Sequence, residues 1–276
     1  MLNSLTDCAV LNNGVKIPWV GFGVFLMEPG EETERSVRIA IDIGYRHIDT
    51  ATIYKNEADV GKAVKECGVP REEIFITTKV WNDDMREGTT LQAFDRSRKL
   101  LQTDYIDLYL VHWPVKGKYI ETWKAMEQIY ARGQARAIGV SNFKEHHIDD
   151  LLAVSDIVPV VNQVEWHPEL RQPDLHQYCI DKGVQLEAWA PLMQGKAFDM
   201  PVFKEIASRY NKSVAQLLIR WGLQHQVVTL PKSITPSRIE ANTHVFDFEI
   251  SPEDMARIDA LDMGARLGPD PDNIDF

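Results

Sequence analysis

Short apolar runs alternate regularly with amphipathic stretches along this chain, and this alternation limits the folds that it can adopt. Eight runs rich in Val and Ile have the length of strands, and several are apolar at nearly every position. Such runs are typical of parallel strands that are buried on both faces. The predicted strands are Trp19–Gly23, Arg46–Asp49, Ile74–Lys79, Leu108–His112, Ala137–Ser141, Val160–Glu165, Gln185–Ala190 and Val227–Lys232.

Helical periodicity fills the segments after these strands. Glycines such as Gly44 and Gly183 follow several of the stretches, where a helix C-terminus favours them. Thr235 and Ser251 each precede a proline, which predicts the start of two further short helices. The main predicted helices are Glu32–Ile43, Glu57–Cys67, Leu91–Leu101, Thr122–Arg132, Lys144–Ala153, Pro173–Lys182, Val202–Tyr210 and Val214–Gln224.

Eight strand–helix alternations predict a (β/α)₈ barrel of the TIM type, with a doubly wound open sheet as the alternative. A β-hairpin is expected before the barrel, because Cys8–Leu11 and Val15–Ile17 flank an Asn-Asn-Gly turn. The tail Leu267–Phe276 is rich in Gly, Pro and Asp and is expected to be loose and extended. No linker interrupts the pattern, so residues 1–276 are expected to form a single barrel domain.

Composition narrows the functional classes. The net charge of −11 disfavours nucleic-acid binding, which needs cations against the phosphates. No basic run suits an anionic membrane, and no apolar stretch is long enough to span one. Cys8, Cys67 and Cys179 are far apart and have no metal-ligand spacing, which predicts reduced thiols. Without a signal-peptide pattern, a cytoplasmic protein is expected.

Candidate functional residues lie where the predicted strands end, because barrel enzymes build their sites at the C-terminal ends of strands. All of these positions except the first carry a charged or hydrogen-bonding group, which stability alone would not require. The residues are Gly23, Asp49, Lys79, His112, Ser141, Asn142, Gln163, Trp189, Lys232 and Ser233.

Asp49, Tyr54, Lys79 and His112 together can deliver a proton to a carbonyl oxygen. A tyrosine phenol, with a pKa near ~10, is a weak acid. The Lys79 ammonium is expected to lower the pKa of Tyr54, and Asp49 to hold Lys79 in place. Tyr54 could then protonate the oxygen as hydride reaches the carbon, while His112 hydrogen-bonds the same oxygen. Carbonyl reduction is therefore the first function to test.

The chain resembles the aldo-keto reductases over nearly its whole length. Among them it is most similar to small bacterial members of the glyoxal/methylglyoxal reductase and 2,5-diketo-D-gluconate reductase type. The resemblance implies a monomeric barrel that uses NADPH to reduce small aldehydes and ketones, with Tyr54 as proton donor. The matching segments are 44–51, 54–57, 78–81, 110–114, 139–143, 162–165 and 230–233.

The cofactor cannot be held by a Rossmann fingerprint, because Gly21-Phe22-Gly23 lacks the third glycine of that motif. The resemblance implies a different set of contacts. It assigns the nicotinamide carboxamide to Ser141, Asn142 and Gln163. Trp189 would stack on the nicotinamide ring where the family more often has Tyr.

The rest of the cofactor site is also implied by the resemblance. Lys232, Ser233 and Arg238 would bind the 2′-phosphate of NADPH, and the remaining contacts are Gly23, Thr235 and Asn242. The family usually has Glu directly before this Asn. Here Ala241 holds that position, with Glu240 one place earlier, so an adenine contact is expected to be lost or remade.

Phe25, Trp81 and Trp113 lie just past strand ends and predict an apolar wall around the carbonyl site, to which His112 also contributes. The loop Pro114–Tyr119 and the tail after Leu261 are short. Since larger family members close their pocket with longer segments there, an open site with a broad preference for small carbonyls is expected.

Three other classes remain open. A metal-dependent barrel hydrolase could use His47 and Asp49, although Lys79 would repel a cation. The further histidines that could contribute are His112, His146, His147 and His167. A serine hydrolase is disfavoured, because the run after Gly139 lacks the last glycine of a nucleophile elbow. A regulatory barrel that binds a nicotinamide cofactor without turnover is the remaining alternative. No metal is expected.

Overall fold

The computed structural model of the protein describes residues 2–276. Within them, eight parallel strands form one sheet in which each strand pairs with the next along the chain. The strands are β1 Cys8–Val10, β2 Lys16–Pro18, β3 Phe22–Gly23, β4 His47–Asp49, β5 Phe75–Val80, β6 Ile106–Val111, β7 Ala135–Ser141, β8 Val161–Glu165, β9 Gln185–Trp189 and β10 Val228–Thr229. The first two form the antiparallel hairpin that the sequence predicts, and β3 to β10 form the parallel sheet.

The sheet closes on itself between its first and last strands. Gly21 N donates to Thr229 O at 2.9 Å, and Thr229 N donates to Trp19 O at 3.0 Å. Gly23 N donates to Pro231 O at 3.2 Å, which extends the hydrogen bonding between these two strands beyond Thr229. The (β/α)₈ barrel is therefore confirmed, and the open doubly wound sheet is wrong.

The helices surround the barrel. They are α1 Glu31–Ile43, α2 Glu57–Glu66, α3 Asn82–Glu87, α4 Thr90–Leu100, α5 Tyr119–Ala131, α6 Glu145–Leu152, α7 Pro173–Lys182, α8 Pro201–Arg209, α9 Val214–Gln224, α10 Pro236–Ala241 and α11 Pro252–Asp259. Only α3 has no counterpart among the predicted helices. It is six residues long and buries Met85 as its one apolar side chain, too little to give a periodic signal.

The bottom of the barrel is closed by apolar side chains. Leu11 and Ile17 of the hairpin segment pack against Phe75, Leu108 and Val161, which lie near the starts of their strands. Because this end is filled, the barrel can admit a ligand only at the C-terminal ends of the strands.

The tail crosses the opposite end, the mouth of the barrel, and the expectation of a loose extended end is wrong. The main-chain N–H groups of Leu267 and Gly268 donate to the Glu165 carboxylate at 2.5 and 3.0 Å. Further along, Asp270 and Asp272 each lie 2.6 Å from Lys144 Nζ. Gly, Pro and Asp in the tail prevent a long helix or strand, but they do not prevent contacts with the body of the barrel.

Membrane insertion by a helix finds no support in the fold. Among residues 2–276, no helix is both long enough and apolar enough to cross a bilayer.

Candidate active site

Asp49 and Lys79 form a buried ion pair at the mouth of the barrel. Asp49 is the last residue of β4, and Lys79 lies one residue before the end of β5. Lys79 Nζ donates to the two Asp49 carboxylate oxygens at 2.7 and 2.8 Å and to Thr50 O at 2.9 Å. All three ammonium hydrogens are thus used, which offsets the cost of burying the charge.

Tyr54 and His112 complete the group. A short 3₁₀ turn after β4 places the Tyr54 ring above Lys79, with Nζ 5.2 Å from the ring centre. His112 follows β6 directly, and its ring meets the Tyr54 ring edge-on, with the centres 5.8 Å apart. The structure therefore brings together all four residues that the sequence proposes for proton delivery.

Tyr54 carries a neutral phenol in this environment. Burial raises the pKa of Tyr54, the positive charge of Lys79 lowers it and Asp49 raises it again, with a net increase. The sequence analysis anticipated only the lowering by Lys79. The net increase arises because Asp49 compensates the ammonium charge while the ring is partly shielded from water. A neutral phenol is the form that can give up a proton.

His112 is neutral as well. Burial, with a further contribution from Lys79, holds the pKa of His112 well below its usual range. Its Nδ1 is buried and has no hydrogen-bond partner among residues 2–276. Burial alone would lower the pKa of Lys79, but Asp49 and Tyr54 raise it, so the ammonium stays charged.

A chain of hydrogen bonds joins the predicted nicotinamide residues. Trp189 Nε1 donates to Asn142 Oδ1 at 2.8 Å, and Asn142 Nδ2 donates to His112 O at 3.0 Å and to Ser141 Oγ at 3.1 Å. Ser141 Oγ in turn donates to Gln163 O at 2.8 Å. Asn142 has a φ of 62°, a left-handed conformation that asparagine tolerates better than most residues. The indole of Trp189 is half-buried, which leaves one surface for stacking.

The side-chain amide of Gln163 joins the ion pair to a second buried acid. Gln163 Nε2 donates to Asp49 Oδ2 at 2.8 Å and to Glu187 Oε2 at 2.7 Å. Glu187 was not among the residues singled out from the sequence, since it lies in the middle of β9 rather than at its end. Its spacing of two residues from Trp189 places both on the same face of the strand, and that was the available signal.

Cationic and small polar side chains lie on the rim after β10. Lys232 and Arg238 are both exposed. Ser233 Oγ accepts from Thr235 N at 3.1 Å, and Asn242 is buried at the end of α10. Two available cations in a chain of net charge −11 make a suitable donor set for a phosphate.

Two further positions concern the cofactor. A Cβ built on Gly23 would lie 3.5 Å from its nearest neighbour, Leu230 O, so packing alone does not require glycine at this strand end. At the predicted adenine contact, Ala241 is half-buried and Glu240 is exposed on α10.

Aromatic rings form a wall around Tyr54 and His112. The centre of the exposed Phe25 ring lies 5.0 Å from that of Tyr54. Trp81 meets His112 edge-on at 5.2 Å between ring centres, and Trp113 lies parallel to His112 at 6.5 Å. The three rings proposed from the sequence therefore lie at the mouth.

Phe276 adds a fourth ring to this wall, which the sequence analysis missed. Its ring stacks on Trp81 at 6.0 Å between centres and meets Trp113 edge-on at 5.4 Å. The main-chain oxygen of Phe276 accepts from Asn82 Nδ2 at 3.1 Å and from the Arg86 guanidinium. No sequence signal connects a tail residue with a helix almost 200 positions earlier, so only the folded chain reveals it. The tail narrows a site that the sequence analysis expected to be open.

The family model described as "Aldo/keto reductase family" matches residues 21–263 of this chain. The chain belongs to this family.

Relatives of this aldo/keto reductase match nearly the whole chain. The glyoxal reductase of Bacillus subtilis is 56% identical, with 100% of both chains covered. The methylglyoxal reductase DkgA of Escherichia coli is 46% identical, with 96% of both chains covered. A crystal structure of a Bombyx mori aldo-keto reductase in complex with NADP has a TM-score of 0.90 at 35% identity, covering 99% of this chain and 97% of that one.

Within residues 2–276, the carboxylate proposed for the metal-hydrolase alternative is already engaged. Both oxygens of Asp49 accept from Lys79, so neither is available between His47 and His112. His167 is hydrogen-bonded to the Glu165 carboxylate at 2.9 Å and is completely buried. The carboxylate that a metal would need is thus already occupied by an ammonium group.

One group of possible metal ligands occurs away from the strand ends. Within residues 2–276, His146, His147 and Asp272 place ligand atoms within 4.8 Å of one another. However, His147 Nδ1 accepts from Lys144 N at 3.1 Å, so its Nε2 must carry the proton in the neutral ring. Lys144 Nζ also lies 2.6 Å from Asp272. This group binds the tail to α6 through hydrogen bonds and charge.

Proposed function

We propose that the protein reduces small aldehydes and ketones of the glyoxal, methylglyoxal or diketo acid type to alcohols with NADPH. The observation that carries the proposal is the neutral Tyr54 phenol above the Lys79–Asp49 ion pair, beside a neutral His112. The substrate class is supported by the glyoxal and methylglyoxal reductases among the relatives. NADPH is supported by the NADP-bound neighbour and by the available cations on the rim.

The residues divide the proton chemistry between them. Tyr54 donates its phenolic proton to the carbonyl oxygen, and Lys79 stabilises the phenolate that remains. Asp49 holds the ammonium in place through its two hydrogen bonds. His112 donates an N–H to the same carbonyl oxygen and thereby orients the substrate. NADPH, when bound, supplies the hydride.

Cofactor binding is proposed for two groups of residues. Ser141, Asn142 and Gln163 would bind the carboxamide, and Trp189 would stack on the nicotinamide ring. The second group would hold the 2′-phosphate and the adenosine, and it consists of Gly23, Lys232, Ser233, Thr235, Arg238 and Asn242.

The direct test measures NADPH oxidation against a panel of carbonyl compounds. The panel contains glyoxal, methylglyoxal, a diketogluconate, an aromatic aldehyde and a steroid ketone. We expect turnover of the small dicarbonyls with kcat/KM above that for the steroid. NADPH binding without turnover of any compound would support the regulatory-barrel alternative. Tight binding of the steroid alone would overturn the proposed substrate class.

Arg238→Ala is expected to weaken NADPH binding about 10- to 100-fold and to leave NADH binding nearly unchanged. A hydrogen bond to a charged group contributes about 1.5–3 kcal/mol, and only NADPH offers the 2′-phosphate. Dissociation constants of both cofactors, measured by titration, check this. The matched control is Arg132→Ala, an exposed arginine after α5. Equal losses for the two cofactors would refute the assignment of Arg238.

Phe276→Ala is expected to raise the KM for an aromatic aldehyde about 2- to 10-fold, and the KM for glyoxal much less. The ring extends the apolar wall of Trp81 and Trp113, and an aromatic contact is worth about 0.5–1.5 kcal/mol. Glyoxal is the internal control, because it is too small to contact the Phe276 ring while it reacts at Tyr54. A similar rise for both substrates would mean that the tail acts on folding of the site rather than on the substrate.

We further propose that the protein is a cytoplasmic monomer, with the whole chain acting as one barrel domain. Cys8, Cys67 and Cys179 are all free thiols in the structure, as a reducing compartment would favour. Light scattering after gel filtration would test the monomer, and a stable dimer would contradict it. A single cooperative unfolding transition would support the single domain.

A further inference from the structure

Glu187 is an acid inside the barrel, below the proposed catalytic group. It lies on β9 and is completely buried. Its only hydrogen bond within residues 2–276 joins Oε2 to Gln163 Nε2 at 2.7 Å, while Oε1 has no partner. A buried acid with so few partners is costly, so its presence calls for a function.

The amide of Gln163 lies between two carboxyl groups. Its nitrogen has two hydrogens, and they are donated to Asp49 Oδ2 at 2.8 Å and to Glu187 Oε2 at 2.7 Å. With both acceptors on one side, the amide cannot rotate by half a turn without placing its oxygen against two carboxyl oxygens. Gln163 Oε1 therefore points away from both acids, and it accepts no hydrogen bond within residues 2–276.

Other groups that face Glu187 do not take over this contact. His47 Nε2 lies 3.8 Å from Glu187 Oε1 and is hydrogen-bonded to Thr77 Oγ1 at 3.0 Å. Burial and the charge of Lys79 lower the pKa of His47 to about 3, so the ring is neutral and makes no ion pair with Glu187. Gln163 is thus the one hydrogen-bond partner of this acid among the described residues.

We propose that Glu187 is a positioning residue for the nicotinamide: it fixes the amide of Gln163 so that Oε1 accepts a hydrogen bond from the carboxamide NH₂ of the cofactor. The inference rests on the proposed function, in which Gln163 binds that carboxamide. Asp49 provides one of the two acceptors and Glu187 the other. With Glu187 removed, the amide keeps only Asp49 as an acceptor, so its orientation is held less firmly.

The protonation state of Glu187 is compatible with this role. Burial, reinforced by the nearby Asp49, raises the pKa of Glu187 to about 8. Near neutral pH the group is therefore largely a neutral carboxyl, whose carbonyl oxygen still accepts from Gln163. A neutral Glu187 therefore adds no second negative charge beside the Lys79–Asp49 ion pair.

The test compares Glu187→Leu with Glu187→Gln. Glu187→Leu removes the acceptor with little change in volume, and we expect it to weaken NADP⁺ binding about fivefold to tenfold, as the loss of one oriented hydrogen bond implies. Glu187→Gln retains an amide oxygen for Gln163 and should recover most of the affinity lost in the leucine variant. A variant with leucine at positions 163 and 187 should bind no more weakly than Gln163→Leu alone, because Glu187 acts through Gln163.

The 3-acetylpyridine analogue of NADP⁺ separates positioning from a general structural role. A methyl group replaces its carboxamide NH₂, so it cannot donate to Gln163 Oε1. We expect wild type and Glu187→Leu to bind this analogue with equal affinity. An equal loss for both cofactors would overturn the proposal, and so would wild-type affinity of Glu187→Leu for NADP⁺. If the leucine variant does not fold, Glu187→Met carries the same expectations.

Failure of the proposed carbonyl reductase function would give a different result from failure of the proposed role of Glu187. If the wild-type protein bound neither NADP⁺ nor its analogue, the proposed function would be wrong. If the wild type binds and turns over a carbonyl compound while Glu187→Leu behaves like it, only the role of Glu187 is wrong.

Discussion

Tyr54→Phe should lower kcat for carbonyl reduction about 10²- to 10⁴-fold, the range that a positioned general acid contributes. The change deletes one oxygen and retains the ring, which packs between Phe25 and His112. NADPH binding and thermal stability should therefore stay close to those of the wild type. Steady-state kinetics with methylglyoxal, together with cofactor titration, measures both quantities.

Tyr130→Phe is the matched control. It removes a hydroxyl from α5, near the hairpin that closes the bottom of the barrel, where Tyr130 Oη accepts from Asn13 Nδ2 at 3.4 Å. We expect its kcat to equal that of the wild type. Full activity of Tyr54→Phe would show that another group protonates the carbonyl, and His112 would become the first candidate.

Asp49→Leu should lower the free energy of unfolding by about 3–5 kcal/mol, because it leaves the Lys79 ammonium buried without its counter-ion. Lys79 is completely buried, and two of its three hydrogen bonds go to Asp49. Such a loss is a large fraction of the about 5–15 kcal/mol by which most proteins are stable. Denaturant unfolding followed by circular dichroism measures the change.

The double substitution of Asp49→Leu with Lys79→Met provides the decisive comparison. Replacing both members of a buried ion pair with apolar residues is often neutral or stabilising, so we expect most of the lost stability to return. Activity should remain absent, because the phenolate of Tyr54 would lose its cation. Glu121→Leu breaks an exposed ion pair with Lys118 and should cost less than about 1 kcal/mol. A loss of that small size for Asp49→Leu would mean that the buried pair contributes little to stability.

The barrel could be predicted from the sequence because its signals are local and repeated. Each strand carries a short run of apolar residues, and strands such as β5 and β6 are buried at every position. The order of elements then places the ends of neighbouring parallel strands side by side. For this reason the sequence also located Asp49, Lys79 and His112 at one end of the barrel before any distance was known.

Closure of the barrel was harder to read from local patterns. The first and last strands of the barrel, β3 and β10, have only two residues each, which is shorter than the apolar runs in the sequence suggest. The hydrogen bonds that join them link residues about 200 positions apart, such as Gly21 and Thr229. That pairing follows from the curvature of the whole sheet, which no single run of residues encodes.

The net shift in the pKa of Tyr54 could not be predicted from the sequence. The chain order indicates that a lysine lies near this phenol, and the sign of that single interaction is correct. The net direction of its pKa depends on how much water the fold removes and on the position of Asp49 beside the ammonium. Both are properties of packing in three dimensions.

The barrel, the residues at its strand ends and the family resemblance could be read from the chain alone, since these depend on order and spacing. The folded chain was needed to show that the tail reaches the mouth, with Phe276 against Trp81. It was also needed to show that Glu187 bonds to Gln163 inside the barrel. Both contacts join segments with no shared sequence pattern, and they arise only when distant strands and the tail are packed around the same small volume.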